Sequence, residues 1–145
     1  MAVTFRTNMR AAAMSLLDDY AASISLGLQT YRGRPASIHP PTAFVDSVNE
    51  TILYTGPLLR QRTPTVEVVV IHGTFDSGVT VDQADAFADG FLDWVTANVH
   101  EAGANTTIGA VAIADEPTYV PDWLPPQLQR TYYATRISLE GYVED

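Results

Sequence analysis

The segment Thr65–Ile71 constrains the fold more than any other. Its sequence, Thr-Val-Glu-Val-Val-Val-Ile, is β-branched everywhere except at Glu67, which is also its only charge. β-Branched side chains lose rotamer freedom in a helix and pack well on a pleated surface, so the run predicts a strand. With so little polarity it should be covered on both faces or lie centrally in its sheet. His72-Gly73-Thr74 is expected to break it.

Helical spacing flanks this strand. Met9, Ala13, Leu16, Leu17, Tyr20, Ile24, Leu28 and Tyr31 recur at steps of three and four, which predicts an amphipathic helix from Met9 to about Tyr31. Asn8 would cap its start, and Gly33 with Pro35 would end it. A second helix is predicted over Thr80–His100, opened by a Thr80/Gln83 capping box and stopped near Gly103. Ala84, Phe87, Ala88, Phe91, Trp94, Val95 and Val99 line one face of it.

Further strands are expected at Ala43–Thr55, as a pair or one bent strand around Asn49-Glu50, at Thr107–Ala114 and at Arg130–Val143. Prolines and glycines place loops at His39–Pro41, at 56–64 and at 115–129. The 145 residues fit a single domain, 1–145. The element order predicts an α+β fold, a mostly antiparallel sheet with two long helices packed on one face.

Charge narrows the function. The formal net charge is −9, which argues against gripping nucleic acid, since that needs a basic stripe. From Met1 to Arg62 there are six arginines and four acids, whereas Thr63 to Gln129 holds ten acids and no Lys or Arg. Such a segment is either a solvated face or a surface that repels one thing and meets an arginine-bearing neighbour. There is no cysteine, no apolar run long enough to span a membrane and no signal-peptide pattern at the N-terminus, so the expectation is a soluble chain, cytosolic when made.

Candidate sites follow from the same pattern. His72 and Asp76 could act as a base and its orienter, but no nucleophile motif accompanies them, and a hydrogen-bonded structural histidine is the plainer reading. His39, His72 and His100 have no metal-ligand spacing. No catalytic residue, cofactor or metal is therefore expected. Asp82, Asp85, Asp89 and Asp93 step along one helix face as an acidic stripe, either its wet side or a functional surface. Arg32, Arg34, Arg60 and Arg62 sit in predicted loops, where they can reach a neighbouring subunit's acids or simply stay solvated. Tyr119, Trp123 and Leu124 form an apolar loop that packs over its own core or, if exposed, meets a partner.

In order and texture the chain resembles the tail terminator family of siphophages. The likeness runs over nearly the whole chain: a long N-terminal helix, a proline-rich loop, the Thr65–Ile71 strand, a Val-Asp-Gln-Ala-Asp-Ala-Phe-Ala-Asp helix and the closing strand from Arg130. The resemblance implies a virion structural protein without enzymatic activity. It would form a ring, hexameric in that family, on the head-proximal end of the tail tube, at the head–tail junction. Its partners would be further copies of itself, the tail tube protein and the head connector or stopper, with DNA passing through unbound. Other readings remain open: another head–tail joining protein (a stopper or head-completion protein), a small hydrolase using His72 and Asp76, or a ligand-binding module.

Overall fold

The computed structural model describes residues 5–54, 56, 60–74, 78–98 and 107–144. The chain runs α1 (Phe5–Ser23), β1 (Gln29–Tyr31), β2 (Thr42–Tyr54), β3 (Arg60–Thr74), α2 (Gly78–Asn98), β4 (Thr107–Tyr119), a 3-10 turn (Pro126–Leu128) and β5 (Tyr132–Glu144). The strands form one five-stranded sheet in the order β1-β2-β3-β5-β4. β1 pairs parallel to β2, and the β2–β3, β3–β5 and β4–β5 pairs are antiparallel, so the sheet is mixed within an α+β fold.

β3 is central, as its composition demanded. Alternation sends Val66, Val68 and Val70 to one face and Val69 and Ile71 to the other, all fully buried. The first face meets both helices. α1 contributes Met9, Ala13, Leu16, Leu17 and Tyr20, and α2 contributes Phe87, Phe91 and Val95. Tyr20 ties the helices together: its hydroxyl donates to the Phe87 carbonyl at 3.1 Å, and its ring meets Phe87 and Phe91 edge-on at 5.1 and 5.5 Å. A Cβ at Gly90 would strike the Tyr20 hydroxyl, so this glycine sets how closely α2 approaches α1.

The second face is only half covered. Ile38, Leu124, Tyr132 and the partly buried Tyr119 and Trp123 pack there on Phe44, Val69, Ile71 and Ala134. Towards the hairpin between β2 and β3 the same face bears the exposed Asn49 and Thr51 and the half-buried Thr63 and Thr65.

Several boundaries differ from the sequence expectation. α1 ends at Ser23, not Tyr31, and Asn8 lies inside it; Ser25 takes a left-handed φ of 56°, and Gln29–Tyr31 leave to pair with Thr42–Phe44. The 42–54 segment is one strand, with a bulge between Val45 and Ser47 and no break at Asn49-Glu50. β3 begins at Arg60, inside the expected loop, and continues through His72-Gly73-Thr74 with a bulge between Ile71 and Gly73. Pro64 is tolerated in this inner strand because the β5 ladder passes from Arg62–Val143 to Thr65–Glu140 without using it. The residue beside it is Gly141, where a Cβ would lie 2.9 Å from the proline ring. Thr80 is buried within α2, which begins at Gly78, and so does not open it as a cap. β4 runs on to Tyr119, and its Pro117 is compatible with an edge strand.

Candidate functional site

The acidic stripe is real as a surface. Asp82, Asp85, Asp89 and Asp93 are all exposed on α2, while Ala84, Phe87, Phe91 and Val95 of the same helix are buried. The 3.6-residue period separates the two sets to opposite sides.

The four arginines do not form one set. Arg34 is engaged within the chain: its Nε donates to Asp46 Oδ1 at 3.0 Å, and its guanidinium lies 5.0 Å from the Trp123 ring centre. That hydrogen bond raises its pKa further. Arg32 is exposed after β1, and its carbonyl accepts from Arg10 Nη1 at 2.6 Å. Arg60 and Arg62 are the first and third residues of β3, paired with Tyr54 and Ile52 at the tip of the β2–β3 hairpin. They belong to a strand, not to a loop as the sequence suggested.

The apolar loop closes over its own core. Leu124 is buried, the Trp123 ring meets Phe44 edge-on at 5.2 Å, and Trp123 Nε1 donates to the Pro35 carbonyl at 2.8 Å. Tyr119 lies at the end of β4, 6.4 Å from Phe44 between ring centres. These anchors are thus spent inside the molecule, and the large apolar side chains left outside in this region are Val120 and Leu128.

Sequence reasoning missed an ionic cluster beside that loop. Arg136 of β5 reaches three other strands: its Nε donates to Glu116 of β4 at 2.5 Å, and its Nη1 to Asp46 of β2 at 3.1 Å and Glu67 of β3 at 3.3 Å. Hydrogen bonding to Glu116 is the main cause of its strongly raised pKa. The available signal was Glu67, the only charge in the Thr65–Ile71 run, and Arg136, the only basic residue of β5.

A pocket also escaped the sequence reading. Tyr20 of α1, Ile24 and Leu26 just after it, Gln83, Ala86 and Phe87 from α2, and Pro41 and His72 at the sheet enclose about 390 Å³, open to solvent. Its lining is apolar apart from the Tyr20 hydroxyl, the Gln83 amide and the His72 ring, and it holds no charged side chain. His72 Nε2 shares a 2.8 Å hydrogen bond with the buried Thr135 hydroxyl, and its ring meets Phe87 edge-on at 5.4 Å. Burial pushes its pKa down to about 4, against a weaker upward pull from Asp115. The imidazole is therefore neutral at pH 7. Asp76 and His100 lie outside the described residues. Among the described residues no group of three or more His, Asp or Glu could hold a metal ion, and no helix is long and apolar enough to cross a membrane.

His72 has a measurable consequence for stability. Unfolded, it takes up a proton near pH 6.5; folded, it does so only near pH 4. Its contribution is thus intact above about pH 6.5 and is lost as pH falls towards 4. At pH 4.5 the wild type should have lost roughly 2–3 kcal/mol through this group alone. His72→Gln, which keeps a partner for Thr135, should lose that much less between pH 7 and 4.5 in urea unfolding. Equal pH slopes for the two proteins would show that the ring protonates freely in the native state.

In comparison with known proteins, the chain matches no family model, and no curated protein is significantly similar to it.

Proposed function

We propose that the chain is a structural subunit of a bacteriophage virion: a tail-terminator-like protein whose ring, taken as hexameric, caps the head-proximal end of the tail tube and joins it to the head connector. In this reading it stops tube growth, contacts further copies of itself, the tail tube protein and the connector or stopper, and lets DNA pass without binding it. It acts through its surfaces and carries out no catalysis. A role as another head–tail joining protein, a stopper or head-completion protein, is the nearest alternative.

The observation that carries the proposal is the separation of charge over the fold. The hairpin tip bears Arg60 and Arg62, and every charged side chain described on α2 is an exposed acid. Ring contacts are heterologous, each subunit offering two different complementary surfaces, and this distribution supplies them. The acidic stripe would also suit a wall that DNA must pass without sticking, because a basic wall would hold phosphates.

The test is the assembly state, by light scattering and electron microscopy, alone and with tail tube protein. Wild-type rings should loosen as salt rises, since Arg–carboxylate contacts are screened. Reversing Arg60 and Arg62 to Glu together should leave a folded monomer. A wild-type chain that stays monomeric at every concentration and leaves tail tubes uncapped would refute the proposal.

One observation favours a second reading. A pocket lined by a histidine of displaced pKa is the setting of many acid–base and ligand sites. A neutral imidazole bonded to Thr135 gives it one polar group, and saturable binding of a small molecule that His72→Gln abolishes would support it.

A further inference from the structure

We propose that Tyr54 of one copy fills the pocket between α1, α2 and His72 of the next copy, forming the knob-and-hole contact from which the ring is built. The inference rests on the ring reading above and names the contact that reading requires. Tyr54 is the most exposed large apolar side chain among the described residues, at 73%. It is the last residue of β2, at the hairpin tip. Tyrosine is a typical interface anchor, offering a large rigid contact area and one polar end. The pocket meets those needs: about 390 Å³ with an apolar lining, and Gln83 and His72 on its wall to face a phenol hydroxyl. A cavity of roughly 150 Å³ already accepts a benzene ring.

Position decides that the contact is between copies. Pro41, on the pocket wall, directly precedes the first residue of β2, and Tyr54 is the last residue of that strand. Thirteen residues of strand span roughly 40 Å at about 3.3 Å each. Knob and hole therefore lie at opposite ends of one subunit, and Tyr54 cannot reach its own pocket. Charge agrees with this. Arg60 pairs with Tyr54 across the hairpin and Arg62 follows two residues later, while the exposed Asp82 and Asp85 adjoin Gln83 and Ala86 at the pocket rim. A contact of this kind is heterologous and repeats from copy to copy until it closes.

Two variants test it, each checked for folding by circular dichroism and thermal melting. Tyr54→Ala removes the knob, and Ala86→Trp blocks the hole from an exposed helix position. Each alone should weaken self-association by roughly thirty-fold or more, as loss of an anchor does. Mixed in equal amounts they should give dimers and nothing larger, because the blocked copy still offers a knob and the knobless copy still offers a hole. Wild-type rings that persist in both single variants would leave the pocket to a different molecule and overturn the proposal while the ring reading stands. Folded variants that stay monomeric when mixed would overturn it equally. A wild type that never self-associates would remove the contact and the ring together.

Discussion

Replacing Phe91 with alanine should leave little folded protein. Phe91 is fully buried on α2, with its ring stacked on Phe87 at 6.1 Å and edge-on to Tyr20 at 5.5 Å. The side chain lies where α1, α2 and the sheet meet, so neighbours held by the Tyr20–Phe87 hydrogen bond cannot easily collapse into the space. Truncating such a phenylalanine costs roughly 3–5 kcal/mol, transfer and cavity terms together. A domain of this size has about 5–15 kcal/mol in total. Urea unfolding should show a sharply lowered midpoint, or expression should yield insoluble protein. Leu92→Ala is the control: the next residue on the helix is 41% exposed, and its loss should shift stability by about 0.5 kcal/mol or less. Matching midpoints for Phe91→Ala and the wild type would mean that the buried side of α2 had been assigned the wrong way round.

That side could be identified from the sequence because two periodic patterns agree. Phe87, Phe91 and Val95 repeat on one side, and Asp82, Asp85, Asp89 and Asp93 on the other, which leaves one orientation for the helix. Thr65–Ile71 was equally plain, since a run of β-branched residues this apolar has no half-exposed solution. The end of α1 was not. Ile24, Leu28 and Tyr31 continue the three-and-four spacing after the helix has stopped at Ser23, and what stops it is a parallel pairing with residues 42–44 that no local window contains. Proline misled twice in the same way. In the sequence alone Pro64 and Pro117 mark loops, yet one sits where the β5 ladder is interrupted and the other on an edge strand, positions defined only by the neighbours. The pocket had the same cause for its concealment: its walls come from residues near positions 20, 41, 72 and 85, joined by topology alone. Of the arginines singled out, the sequence could show that they were few and concentrated before residue 63. It could not show that Arg34 would be held by Asp46 and Trp123, because that depends on a bulge at Asp46.

Arg136→Met should cost about 2–4 kcal/mol at pH 7, more than a surface pair and up to the range of a buried one. The methionine keeps most of the apolar stem but removes the cation shared by Asp46, Glu67 and Glu116, whose side chains are 14%, 35% and 32% exposed. Three carboxylates on neighbouring strands would then face one another, with Arg34, itself 49% exposed, as the one cation among the described residues still paired to them, on the far oxygen of Asp46. Like charges so placed are destabilising, and partial burial prevents water from screening them fully. At pH 7 the variant carries the full repulsion, and salt screens part of it, so the stability gap to the wild type should narrow as ionic strength rises. Glu116 makes two contacts with the guanidinium, at 2.5 and 3.4 Å, so the double-mutant cycle with Glu116→Gln should show the strongest coupling of the three pairs. A gap below about 1 kcal/mol would mean that Arg136 behaves as an ordinary surface charge. The four strands it connects would then be held in register by their ladders and the helices alone.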